Sequence, residues 1–193
     1  MGRRSDARER MLGSAMRLFR ERGVAGTSIA DVMAEGQAPR GSLYHYFPGG
    51  KAELAETATA RAGRAMGATI SALTAERGPV GTFTAIIDLF RQQLLDTDFA
   101  AGCPVAAGGL AEADAPGARA AAGEAFASWE STLSASLWQH GIPAERADRL
   151  ATSGLAIVQG ALVLARAQRS TRPLDRVCEE FAAHLRALLD EHD

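Results

Sequence analysis

Apolar residues in this chain recur three and four positions apart, and they nowhere settle into the strict alternation of a half-buried strand. Ala and Leu are abundant and β-branched residues sparse, which favours helix over sheet. The pattern predicts an all-α fold of about nine helices. Their expected spans are 6–22, 28–35, 39–47, 51–76, 80–95, 105–113, 116–140, 144–168 and 174–190. Breakers set the boundaries: Gly23, Gly36, Pro48-Gly49-Gly50, Gly78-Pro79 and Gly141-Ile142-Pro143. Asp6 or Ser5 is the expected cap of the first helix, Thr27 or Ser28 that of the second, where Ser28 with Asp31 resembles a capping box, and Pro39 is the expected first residue of the third. The short helices form a head at 1–50, and a larger body occupies 51–193.

Two cysteines, Cys103 and Cys178, make no disulfide framework, so a reducing cytoplasm is the expected setting. The segment MGRRSDARER has no apolar core of a signal peptide. No uninterrupted apolar run reads as a membrane span; Leu155–Ala165 is short and holds Gln159 and Gly160. Charge is unevenly placed. Residues 1–51 hold nine Lys and Arg against five Asp and Glu, a net of +4, and the rest of the chain carries −6. A basic head on an acidic body suits a protein that presents one end to a polyanion.

The segment 27–51, TSIADVMAEGQAPRGSLYHYFPGGK, reads as helix, tight turn, helix, then the basic start of another helix. That is a helix-turn-helix, the unit that lays a helix in the DNA major groove. Leu43 and Phe47 lie four apart and share one face, where they meet Phe19, Ile29 and Val32 in a small core. Arg40, Ser42, Tyr44 and His45 are then left outward. Arg holds guanine through a bidentate pair, and Ser and His reach base edges or phosphates. Tyr hydroxyls and helix N-termini suit phosphate oxygens, which places Thr27 and Lys51 at helix starts where an anion is favoured. Gly41 permits close approach. The same shape also occurs as plain architecture, and Tyr44-His45-Tyr46 also suits half-buried aromatics.

These residues resemble the DNA-binding part of the TetR family of one-component regulators. The family pattern of Thr/Ser at the start of helix 2, then Gly-Ser/Thr-Leu-Tyr-x-x-Phe and a downstream Lys, is met by Thr27-Ser28, Gly41-Ser42-Leu43-Tyr44-His45-Tyr46-Phe47 and Lys51. Phe47-Pro48-Gly49-Gly50-Lys51 and Gly102-Cys103-Pro104-Val105 are similar to the LmrA/YxaF-type branch. The resemblance implies a double-stranded DNA operator as partner, with Thr27, Tyr44 and Lys51 on phosphates and Arg40, Ser42 and His45 nearest the bases. Ser28 and Pro39 complete that expected surface. Two positions depart from the pattern. Gln37 stands where the family turn usually has Gly, and a Gln at positive φ costs about 1 kcal/mol or more. Met33 stands where helix 2 usually has a small residue.

In the body, apolar stripes at helical spacing are most often core. The resemblance adds an effector site among the middle helices, and the candidates are Phe83, Phe90, Cys103, Phe126, Trp129, Leu133 and Gln159. Gln159 stands out because a buried amide needs a partner. An apolar, aromatic-bearing pocket points to a drug-like or polyphenolic effector. The helix at 144–168 is apolar nearly all round and must be covered on two sides. With the last helix it makes half of a four-helix bundle between subunits of a homodimer, through Leu150, Gly154, Val158, Ala161, Leu162, Val177, Phe181 and Leu185. The expected whole is a dimeric repressor released from DNA by a small molecule. An enzyme is disfavoured. Glu180 and His184 form an isolated pair, and no metal-ligand spacing, cofactor motif, phosphate loop or nucleophile elbow is found. A helical small-molecule-binding or adaptor protein without DNA binding is the alternative.

Overall fold

The computed structural model describes residues 2–39, 42–111, 113 and 115–190, with side chains from Asp6 onward. Among them are eight helices and no strand: α1 (Gly2–Arg22), α2 (Ile29–Glu35), α3 (Leu43–Tyr46), α4 (Gly50–Asp96), α5 (Pro104–Gly109), α6 (Pro116–Gln139), α7 (Ala144–Gln168) and α8 (Arg172–Asp190). Two of the nine expected helices are joined in α4. That helix is interrupted at Gly78, whose φ of 63° and ψ of −177° no helix contains, and Pro79 follows it. The expected break is therefore present as a kink between two helical segments.

The chain packs as two compact units, residues 1–65 with 103–125, and residues 66–102 with 126–193. In the first, one apolar cluster joins Met11, Leu12, Leu18 and Phe19 of α1, Val32 and Met33 of α2, Leu43 and Phe47, and Leu54 and Ala58 of α4. Met33 thus finds its room in this core, where an unbranched thioether adapts to an irregular gap. α1 also packs against α5. In the second unit α7 and α8 form the main helix pair. Gly154 is bare beneath an aromatic pair: a Cβ there would stand 3.3 Å from Phe181. Phe181 and Phe83 lie with ring centroids 4.7 Å apart.

Turn chemistry explains most boundaries. After α2 the Ala38 amide donates to Met33 O at 3.0 Å and the Gln37 amide to Ala34 O at 3.3 Å, the paired bonds of a Schellman turn. Such a turn requires a left-handed residue, and Gln37 takes it with φ of 49°. Gly36 stays right-handed with φ of −71°; the tightest contact a side chain there would make is with the Val32 carbonyl of the same turn, at 3.0 Å. A Cβ there would sit 3.4 Å from Ser14 Oγ and 3.5 Å from the Arg10 backbone of α1. Gly141, with φ of 93°, closes α6 by the same two-bond pattern.

Three expectations are corrected. The first helix already begins at Gly2, so Asp6 lies inside it and pairs with Arg10 one turn on at 2.5 Å instead of capping. Pro39 does not open α3. It accepts from the Ser42 amide at 3.1 Å and from the Ser42 hydroxyl at 2.8 Å, and those bonds close a turn ahead of the helix. α7 as a whole is long and apolar enough to cross a bilayer by composition, with a mean hydropathy of 1.5 over its best window. Its most apolar side, including Leu150, Leu155, Val158 and Leu162, is buried in the chain's own core.

Candidate nucleic-acid interface and ligand cavity

The first unit builds a small polar surface around α3. Leu43 and Phe47 are both at most 1% exposed, so they fix the helix from behind. Tyr44 is 61% exposed and His45 is exposed beside it, its ring edge-on to Tyr46 at 4.9 Å. Arg40 and Gly41 lie outside the described residues. The Tyr44 ring lies over the start of α4, against Gly50, whose φ of 67° and missing side chain allow the approach. Glu53 of the first α4 turn accepts from the Gly49 amide at 2.7 Å and fixes that start. Lys51 extends from the same turn, and its Nζ stands 3.5 Å from the Ala25 carbonyl in the link into α2. Tyr44 and Lys51 thus come together at the N-terminus of α4, the positive end of the helix dipole.

At the start of α2 the capping box is complete. The Asp31 amide donates to Ser28 Oγ at 3.1 Å, and the Ser28 amide donates to Asp31 Oδ2 at 3.0 Å. The Ser28 hydroxyl also donates to Asp31 Oδ2 at 2.7 Å. These bonds, the hydroxyl first, hold the Asp31 carboxyl below the usual carboxylate range. Ser28 and Pro39 are exposed, and Ser42 is half-buried with its hydroxyl on Pro39 O. Thr27 is placed differently from expectation. It is buried, and its hydroxyl donates to the Gly23 carbonyl at 2.9 Å, so it closes the α1–α2 corner. Arg17 of α1 pairs with Glu35 of α2 and with Glu21 of its own helix, bracing the two helices. Sequence reasoning did not single out Gly50 or Glu53 as parts of this surface, although the Pro-Gly-Gly run before Lys51 marked the place.

The second unit encloses an apolar cavity of about 40 Å³. Phe83 and Ile86 of α4, Leu133 of α6, and Leu150, Gly154, Val158, Phe181 and Leu185 of α7 and α8 line it. Of the seven expected ligand residues only Phe83 and Leu133 are there. Phe126 and Trp129 pack on each other edge-on, 5.2 Å apart. Phe90 is buried away from the cavity walls, and Gln159 is half-buried and does not line them. Cys103 belongs to the first unit, where it is buried and its sulfur accepts from the Ala106 amide at 3.5 Å, capping α5.

Six of the eight residues expected on a partner face are already covered by the chain itself. Leu150, Gly154, Val158, Ala161, Leu162 and Leu185 are already buried within the chain, and Val177 and Phe181 are half-buried. Five of the eight line the cavity. The most apolar side of α7 is covered by its own fold. The side left outward carries Ala156, Gly160, Val163, Leu164 and Ala167, with Val163 65% and Leu164 51% exposed.

Comparison with known proteins finds two family matches along the chain. Residues 12–58 match the family described as bacterial regulatory proteins, tetR family. Residues 79–180 match the transcriptional regulator LmrA/YxaF-like C-terminal domain. The HTH-type transcriptional regulator Rv0196 of Mycobacterium tuberculosis strain H37Rv is 43% identical over 192 residues, covering 95% of this chain and 96% of its own. The HTH-type regulator YxaF of Bacillus subtilis strain 168 is 31% identical, over 96% of this chain and 98% of its own. A TetR transcriptional regulator from Chloroflexus aurantiacus J-10-FL superposes with a TM-score of 0.78 at 26% identity, covering 96% of each chain. With a helix-turn-helix surface at one end of the sequence and an apolar cavity in the rest, the chain belongs to the TetR family of bacterial transcriptional regulators, in the branch with an LmrA/YxaF-like C-terminal, ligand-binding part.

Proposed function

We propose that this regulator is a homodimeric repressor that acts in the cytoplasm without catalysis and is released from its operator by a small apolar or aromatic effector. Residues 1–50 carry DNA binding, and residues 51–193 carry effector binding and dimerisation. The observation that carries the reading is α3: Leu43 and Phe47 anchor it while Tyr44 and His45 face outward beside Lys51. Tyr44, Lys51 and Ser28 are the proposed phosphate contacts. His45, Ser42 and Arg40 are proposed nearest the bases, with Pro39 and Gly41 completing the DNA-facing surface. Thr27 supports the corner from inside.

The partner face proposed here is the outward stripe of α7, Ala156, Gly160, Val163, Leu164 and Ala167, together with the half-buried Phe181 of α8. Small residues let two helices approach closely, and two-fold pairing places two recognition helices one turn of DNA apart, about 34–36 Å or a multiple of it. The effector enters the Phe83–Leu133–Phe181 cavity. It releases DNA only by binding the non-binding arrangement more tightly.

The test is selection of bound fragments by the full-length chain, followed by gel shifts across a salt series. Tyr44→Ala is expected to weaken operator binding about two- to tenfold, the usual worth of one hydrogen bond. Lys51→Ala is expected to reduce the salt slope by about one. Binding that is indifferent to both substitutions removes the proposed surface.

A further inference from the structure

Next to the apolar cavity, and in the same compact unit, an open cleft of about 420 Å³ runs between α4 and α6. Its walls are polar but uncharged: Ser71 and Thr74 from α4, and Ser131, Thr132, Ser136 and Gln139 from α6. Thr74 and Ser136 line both the cleft and the cavity, so they form the threshold between them. Two hydroxyls nearby are committed as donors. Thr74 Oγ1 donates to the Ser71 carbonyl at 2.9 Å, and Thr132 Oγ1 to the Ser128 carbonyl at 3.0 Å. Ser136 differs. It is only 5% exposed, and its hydroxyl has no hydrogen-bond partner among the described residues. A buried hydroxyl left unpaired destabilises the fold, so such a group is expected to meet a partner in some state of the molecule.

Resting on the effector reading above, we infer that the effector is an uncharged molecule: its apolar part fills the cavity, and its hydroxyl or carbonyl pairs with Ser136 at the threshold. The walls of neither space carry an Asp, Glu, Lys, Arg or His side chain. A charged group at the buried Ser136 gains no counterion and gives up part of its hydration, which disfavours carboxylates and amines there. A serine hydroxyl both donates and accepts, so it serves an alcohol, a phenol or a ketone. The tight cavity takes a small apolar group, and any larger remainder extends into the cleft.

Three one-ring probes separate these features: ethylbenzene, 4-ethylphenol and 4-ethylbenzoate, each titrated into the full-length protein by calorimetry and ligand-observed magnetic resonance. 4-Ethylphenol is expected to bind about two- to tenfold tighter than ethylbenzene, and 4-ethylbenzoate weakest of the three. Ser136→Ala removes that advantage and leaves ethylbenzene within about twofold of its original affinity. Thr132→Ala, at a hydroxyl bound to its own helix, leaves the order unchanged. The inference is overturned if the phenol keeps its full advantage in Ser136→Ala. It is equally overturned if the carboxylate binds best, or if neither neutral probe binds saturably to folded protein. Operator binding by the unmodified chain is measured alongside. DNA binding that persists while the phenol preference fails removes only the effector chemistry, whereas absent DNA binding removes the repressor reading.

Discussion

Gln37 shows how one side chain can be overruled by the bonds around it. The turn after α2 uses two amides in a Schellman pattern, and the middle residue must take φ of 49° whatever its identity. An L-residue there pays a steric cost of roughly 1 kcal/mol that glycine avoids. Gln37→Gly is therefore expected to raise stability by a few tenths to about 1 kcal/mol in urea unfolding, with the operator pose unchanged. A loss of stability would show that the Gln side chain contributes contacts worth more than its strain. The departure was visible in the sequence, but the choice between Gly36 and Gln37 was not. At Gly36 a Cβ would stand 3.0 Å from the Val32 carbonyl, a crowding set by the turn itself that no local pattern reveals.

Among the elements, α2 was the most legible, because its cap is local chemistry: Ser28 and Asp31 three residues apart satisfy each other's amides. The same bonds make α2 sensitive to acid. The Asp31 pKa is lowered on folding, so its contribution is present above the ordinary carboxylate pKa, near 3.8, and is lost as pH falls through the lower folded value. Wild-type thermal stability is expected to fall faster than that of Asp31→Asn below about pH 4, a comparison made by melting both across an acid series. Equal slopes would show that the box is idle. α3 was less legible. Pro39 signals a helix start through its fixed φ, but Ser42 uses both its amide and its hydroxyl on the Pro39 carbonyl, and α3 is delayed to Leu43. The Gly78-Pro79 break was readable because Pro lacks the amide that a continuous ladder needs.

On the scale of the whole molecule, periodicity identified α7 as a helix needing cover on two sides without telling which side its own chain covers. Leu150, Gly154 and Val158 answer to Phe83, Phe181 and the cavity, and Ala156, Gly160, Val163, Leu164 and Ala167 face out. Placing a charge on that outward side is the sharpest test: Leu164→Arg is expected to shift the protein from dimer to monomer by sedimentation at micromolar concentration, with helical content retained. A dimer that survives, and that is broken instead by changes on α1 or α6, would move the interface elsewhere. The cavity was half legible, through Phe83 and Leu133. Ser136 was not, since a serine in a helix is commonplace until its neighbours are known to leave it buried and unpaired. The kink in α4 has a mechanical corollary. The stretch of 47 residues is divided at Gly78 into two helical segments and is not one continuous rod. Thr74 before the break and Phe83 after it both line the cavity, so the torsions of a single glycine set the angle at which those two walls meet.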